Sequence, residues 1–185
     1  QVRADLDGNG LAMPTAHFSL DMLEAEPDRV IAICRTLGIE AVYCPYLLPE
    51  ERPTDAAGWH ALGERLQKAG APIRAAGLTF GWHNHDFEFF TLPDGTVPLD
   101  RLFEGGPDLA WEADIAWIIR AGADPFAWIA KYGDRITAVH VKDIAPKGEN
   151  ADEDGSPVKN FIVEHDNPKD ITRLATRSIA TIKAF

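Results

Sequence analysis

The chain has 185 residues, 45% of them hydrophobic and 25% charged, and a formal net charge of -11. That is enough chain for one well-buried domain, expected to run over residues 1–185, and too little for two comfortable ones. The acidic excess is spread along the sequence and argues against a nucleic-acid partner, which would need clustered Lys and Arg. No apolar run approaches the roughly 20 residues of a membrane helix.

Residues 1–9 read as the end of a helix. A short strand pattern runs from Pro14 to Leu20, and Glu26-Pro27-Asp28 opens a helix whose apolar positions Val30, Ile31, Ile33, Cys34 and Leu37 recur at helical spacing. Gly38 suits a left-handed stop. The second strand is Ala41 to Pro45. Thr54 and Asp55 can cap a long helix through Leu62 and Leu66 to Ala76, closed by Gly77. The third strand is Thr79 to Phe87 and the fourth Leu109 to Trp117. Asp124-Pro125 caps a helix carrying Phe126, Trp128 and Ile129 that ends at Gly133. The fifth strand is Ile136 to Ile144, the sixth Phe161 to Asp166, and a last helix runs from Pro168 to Ala184.

Strands alternating with helices imply parallel pairing and right-handed crossovers, hence an open doubly wound sheet or a closed barrel. The stretch Ala145 to Lys159 stands where a crossover helix belongs, yet it is polar and has no helical apolar face. Sequence is expected to be missing near Gly155-Ser156, and the opening helix has no strand before it. Cys34 and Cys44 belong to no CxxC pair, so buried reduced thiols and a cytoplasmic location are expected. The chain opens on Gln1 and leaves room for an export signal ahead of it.

Along a strand, residues two apart point the same way. His83 and His85, Glu112 and Asp114, His140 and Lys142, and Glu164 and Asp166 make four polar pairs, each near the C-terminal end of its strand. Ile115, Val139, Val141 and Val163 take the opposite phase, where the helices of a barrel would cover them. The polar pairs are therefore expected to face the barrel axis. Burying so many ionisable groups unpaired would be costly, and a bound cation with mutual pairing at the barrel mouth makes the arrangement tolerable. Catalytic residues of such barrels come from the C-terminal ends of several strands. Mixed imidazole and carboxylate ligands suit Mn²⁺, Co²⁺, Fe²⁺ or Zn²⁺ better than Mg²⁺.

In chain order, GWHNHDFEF, WEADIAWIIRAGADP, AVHVKDIAP and FIVEHDNP resemble the last four strands of the xylose-isomerase-like barrel family, and PYLLPEERPTDAAGWHALGERL resembles the segment upstream of them. The resemblance covers nearly the whole chain. It implies an α/β fold of the (β/α)8 TIM-barrel type, incomplete here, with the first two strands absent and the crossover before the last strand cut short. Members of that family hold a divalent metal with Glu, Asp, His and Glu. Asp114, His140 and Glu164 match the last three of these positions. The first departs: His83 and His85 stand there, so His83 substitutes, Glu88 reaches in, or the site is weakened. His83 keeps the inward phase and is preferred.

The reaction that the resemblance implies is proton transfer next to a carbonyl of a small sugar or polyol, giving isomerisation or epimerisation through a metal-stabilised enediolate. A hydroxyl on the β carbon would make the same machinery a dehydratase. His85 and Glu164 are the candidate bases, Lys142 would polarise an oxygen, and Glu112 would orient a neighbour.

Each residue also has an ordinary structural reading. His140 could end a solvated strand, Asp114 could cap a helix, Glu112 and Glu164 could pair with Lys142, and His83 could be a hydrogen-bonded interior histidine. His17 is given a structural role, His60 a solvated one and His165 an outward one; Trp82, Trp111 and Trp128 read as core, with Trp117 able to wall a sugar site. Asp86 and Glu88 read as loop charges, and Asp152, Glu153 and Asp154 as a solvated run. Two other classes remain in view. Metal-dependent phosphodiester cleavage shares the barrel but wants more histidines and a basic surface. A non-catalytic sugar-binding barrel is favoured only by the His83 departure. Open strand edges invite pairing or aggregation, so an incomplete sequence is expected rather than a six-stranded natural domain. A small sugar or polyol and a second copy of the chain, in a homo-oligomer, are the partners in view.

Overall fold

The computed structural model describes residues 1–142 and the strand 160–164; side chains are described up to Val141. The expected crossover stretch, the acidic run Asp152 to Asp154, the outward His165, the inward Asp166 and the last helix lie outside the described residues.

In chain order the elements are α1 (Val2–Gly8), β1 (Thr15–His17), α2 (Leu20–Ala25), α3 (Pro27–Leu37), β2 (Ala41–Cys44), α4 (Ala56–Ala69), α5 (Ala71–Ala75), β3 (Thr79–His83), α6 (Pro98–Gly105), β4 (Ala110–Asp114), α7 (Ile115–Arg120), α8 (Pro125–Tyr132), β5 (Ile136–Lys142) and β6 (Asn160–Glu164). All the strand pairings are parallel and the strands lie side by side in sequence order, β1 to β6. No helix among the described residues is long and apolar enough to cross a membrane.

The sheet is curled. Tyr43 on β2 and Thr137 on β5 share a hydrogen bond of 2.7 Å between their hydroxyls. In a flat sheet three strand spacings would hold them about 14 Å apart. Their contact therefore crosses the concave face, where Ala41, Tyr43 and Ala138 form a small packed layer. Thr137 falls where the β4–β5 register slips between Trp111 and Glu112, an extra residue that bends the strand.

The convex face carries the large core. Val42, Cys44, Phe80, Trp82, Trp111, Ala113 and Val139 of the strands pack with Leu23, Val30, Cys34, Leu62, Leu66, Ile73, Leu99, Leu102 and Ile118 of the helices. Both cysteines are buried and free. α4 and α6 approach so closely that a Cβ on Gly63 would stand 2.1 Å from the Leu102 carbonyl oxygen. Gly38 ends α3 with φ +74°, a conformation that disfavours any residue with a Cβ.

Several elements are shorter than their sequence patterns. β1 stops at His17 because Ser19 caps α2, its Oγ accepting from the Met22 N–H. The long helix expected from Thr54 breaks between α4 and α5 around Gly70 and Pro72, since proline cannot donate into a continuing helix. β3 leaves the sheet at His83, so His85 is not a strand residue. β4 leaves at Asp114, whose Oδ1 accepts from the Trp117 N–H at 3.0 Å and starts α7. The run Ile115 to Ile119 is apolar throughout, and such a run fits a strand or a buried helix equally.

Candidate metal centre at the strand ends

Register sets the site. His17 is level with Tyr43 and Gly81, His83 with Glu112, and Asp114 with His140, so the polar residues are staggered by two residues from β1 to β3 and again from Glu112 to Asp114. Because the sheet curls, their side chains meet. Glu112 is fully buried at the centre. His17 Nε2 donates a short hydrogen bond to its Oε2, His83 Nδ1 lies 3.4 Å from that oxygen, and His140 Nε2 lies 3.5 Å from it. The rings of His83 and His140 are 4.4 Å apart, and His17 sits 5.2 Å and 5.7 Å from them.

One ligand atom from each of His17, His83, Glu112 and His140 lies within 4.8 Å of the others. Ligands about 2.0–2.1 Å from a tetrahedral ion are about 3.3 Å from one another, close to the His83 and His140 spacings from Glu112. Glu112 Oε1 is also buried without a hydrogen-bond partner among the described residues. Buried polar atoms are seldom left so, and an ion would satisfy it. The His/Glu donor set can hold a metal ion.

The charges agree with that fit. Burial by itself would raise the Glu112 carboxyl, but hydrogen bonding from His140, His17 and His83 outweighs it and holds the group well below the usual carboxylate range. Burial also holds His83 below the ordinary histidine value, against the pull of Glu112, so its ring stays neutral. A neutral imidazole and an ionised carboxylate are the ligand forms.

Asp114 stands behind this cluster. Its Oδ2 is 3.6 Å from His140 Nδ1, on the side of the ring away from Glu112. Asn84, fully buried, ties it down: Asn84 Oδ1 accepts from the Asp114 N–H at 2.9 Å and from Trp111 Nε1 at 2.8 Å, and Asn84 Nδ2 donates to the Asp114 carbonyl at 3.1 Å.

His85 reaches the rim of the cluster from the turn after β3, its ring 5.0 Å from His83, 5.2 Å from Trp117 and 5.0 Å from Tyr46. The Glu88 carboxyl faces Trp82 on the helix side of the sheet and is pushed up to about 8 by burial. Lys142 and Glu164 are register partners at the ends of β5 and β6, and their side chains lie outside the described residues.

The structure thus brings His83, Glu112, Asp114 and His140 together, with His85 alongside. His17, to which sequence alone assigns a structural role, contacts Glu112 directly. The signal available for it was its position closing the first strand, as the other polar residues close theirs.

Six parallel strands in sequence order, helices outside and a polar cluster at the strand ends can be compared with known proteins. A sugar phosphate isomerase/epimerase from Parabacteroides distasonis superposes with a TM-score of 0.82 at 19% identity, over 99% of this chain and 74% of that one. The 3-keto-D-glucoside 4-epimerase from E. coli gives 0.69 at 12% identity, over 100% and 83%. A xylose isomerase-like TIM barrel protein from Mycobacterium smegmatis, in complex with magnesium, gives 0.55 at 17% identity, over 76% and 54%. The chain has the fold of these TIM-barrel proteins over the part it shares with them. Curated relatives are more distant in extent: inosose dehydratases from Lacticaseibacillus casei and Clostridium perfringens are 28% and 30% identical over 106 and 104 residues, 56% and 55% of this chain. The match spans about a third of their length, 34% and 32%. No family model matches. Within the TIM-barrel fold, the six described strands form an arc of the barrel, and the cluster lies at its C-terminal mouth, the face where such barrels carry their sites.

Proposed function

We propose that the protein is a metal-dependent isomerase or epimerase of a small sugar or polyol, acting by proton transfer next to a carbonyl. The convergence of three imidazoles on the buried Glu112 carboxylate at the barrel mouth is the observation that supports this best. We infer His17, His83, Glu112 and His140 as the ligands, with Asp114 orienting His140 from behind. That arrangement exchanges the roles which the family resemblance suggests for Glu112 and Asp114 and adds His17; the fourth residue of the resemblance, Glu164, has its side chain outside the described residues and stays a candidate ligand. Carboxylates behind a ligating histidine fix its tautomer and orientation in many metal sites. A divalent ion held there would supply positive charge against the negative charge that develops on the substrate oxygens.

The chain's own residues then have the following work. His85, half-buried at the rim between Trp117 and Tyr46, takes the proton from the carbon beside the carbonyl and returns it. Trp117 and Tyr46 wall the space beside it against water. Lys142 and Glu164, side by side at the ends of β5 and β6, are the candidates for holding a substrate oxygen and for a second proton transfer.

A second reading is a dehydratase, favoured by the inosose dehydratases among the relatives. Proton removal would be followed by cleavage of the C–O bond at the β carbon, the hydroxyl leaving with the electron pair and taking up a proton as water. Metal analysis of the purified protein, followed by proton NMR with inosose in heavy water, tests both. One bound ion and exchange of the α hydrogen with the hydroxyls retained supports the isomerase reading, and loss of water the dehydratase. A wild-type protein that binds no divalent ion, or a His83→Ala, Glu112→Ala double variant that binds it as well as wild type, would overturn the proposal.

A further inference from the structure

Three fully buried carboxylic side chains stand out among the described residues: Glu112, Asp114 and Glu88. The first two belong to the cluster. Glu88 does not, although a carboxyl buried without partners is costly. Both of its oxygens are occupied. Oε1 accepts from Trp82 Nε1 at 2.9 Å, and Oε2 accepts from the backbone N–H of His85 at 3.0 Å.

These two donors belong to different pieces of structure. Trp82 lies inside β3 and packs in the apolar layer under the helices. His85 lies in the turn that follows, where the chain has left the sheet. The carboxyl therefore bridges a rigid strand and the first residues beyond it. Asn84, between the two, is bound to β4 through Asp114. The backbone is thus held on both sides, by one buried side chain reaching to β4 and another reaching back to β3. Between those clamps the His85 ring is directed to the rim, edge-on to His83 and tilted against Trp117.

We propose that Glu88 is a positioning residue for His85: its buried carboxyl joins the His85 backbone N–H to the Trp82 indole and so sets where the His85 imidazole stands relative to the metal cluster. The role rests on the reading of His85 as the proton-transfer group. Glu88 hydrogen-bonds the His85 backbone and Trp82 and no member of the His17, His83, Glu112 and His140 cluster, so its replacement separates placement from ligation.

Glu88→Gln in the full chain tests this. Above about pH 8, where the Glu88 carboxyl is ionised and both oxygens accept, the amide keeps the shape and one acceptor and turns an NH₂ group toward one of the two donors, so one clamp bond is lost. Far-UV circular dichroism should be unchanged, and Zn²⁺ affinity should match wild type because no ligand is altered. The His85 ring signals in proton–nitrogen NMR, assigned with His85→Gln, should shift and broaden while those of His17, His83 and His140 stay. Hydrogen exchange at the α carbon of inosose should slow by about 10- to 100-fold, as expected for a catalytic group displaced by an ångström or less. Trp82→Phe, which removes the other donor and keeps the ring, provides a second route if the glutamine variant does not fold. Unchanged His85 signals in whichever folded variant is obtained would overturn the proposal. A wild-type protein with no exchange activity would count against the proposed function instead, and the histidine spectrum would still decide the role of Glu88.

Discussion

Asn84 offers the sharpest test of how the fold builds the site. Replacing it with alanine strands two buried donors, Trp111 Nε1 and the Asp114 N–H, and one acceptor, the Asp114 carbonyl. Each buried donor left unsatisfied costs about 1–3 kcal/mol, so the two together cost about 2–6 kcal/mol. Domain stabilities are about 5–15 kcal/mol, which makes this a large fraction of the total. With a urea dependence of about 2 kcal/mol per M for a chain of this size, the unfolding midpoint should drop by about 1–3 M. Tryptophan fluorescence during urea unfolding measures it, Trp111 being a reporter within the perturbed network. Asn84→Leu separates hydrogen bonding from volume: it refills the space but serves neither donor, so it should be destabilised to a similar degree. If both variants unfold within about 0.5 kcal/mol of wild type, the ordinary scatter of neutral substitutions, the argument that Asn84 ties β3 to β4 is wrong. The site should feel the same change. Asp114 would lose its anchor, and with it the orientation of His140, so metal affinity in the folded fraction should fall by about 10- to 100-fold.

Other outcomes follow from the same geometry. Gly63→Ala would drive a methyl group to 2.1 Å from the Leu102 carbonyl oxygen and should destabilise by about 1–3 kcal/mol through separation of α4 and α6, seen as a lower melting temperature. Glu112→Gln should keep the fold but lose most of the bound ion in equilibrium dialysis, because the amide cannot supply a charged ligand. Acid should destabilise the metal-free protein. Both His83 and Glu112 have folded values below their ordinary 6.5 and 4.5, so the unfolded chain binds protons first; their stabilising contributions are complete at neutral pH and are lost on acidification, that of His83 from about pH 6.5 downward and that of Glu112 from about pH 4.5. Urea midpoints measured from about pH 7 to about pH 4 should fall, and Glu112→Gln should flatten the lower part of the curve. Chelation should lower the melting temperature of the loaded protein, since an ion that binds only the folded state adds to its stability.

Much of this was written locally. Strand–helix alternation, the caps at Asp55 and Asp124 and the stop at Gly38 are short-range signals, and each depends on a few neighbouring residues. Phase along a strand was equally readable for Glu112, Asp114 and His140, because the two-residue period needs nothing from outside the strand. Local pattern failed where a strand ended. Ile115 to Ile119 suits a strand as well as a buried helix, and only the Asp114 cap decides for α7. The turn at His85 depends on Glu88 and Asn84 reaching to different strands. The His17–Glu112 contact joins residues far apart in sequence and three strands apart in the sheet. Sequence by itself placed polar side chains at the inner ends of parallel strands, since alternation is a property of the backbone of one segment. Which of them meet was decided by curvature, a property of the whole sheet: it brings Tyr43 to Thr137 below and three imidazoles to one carboxylate above.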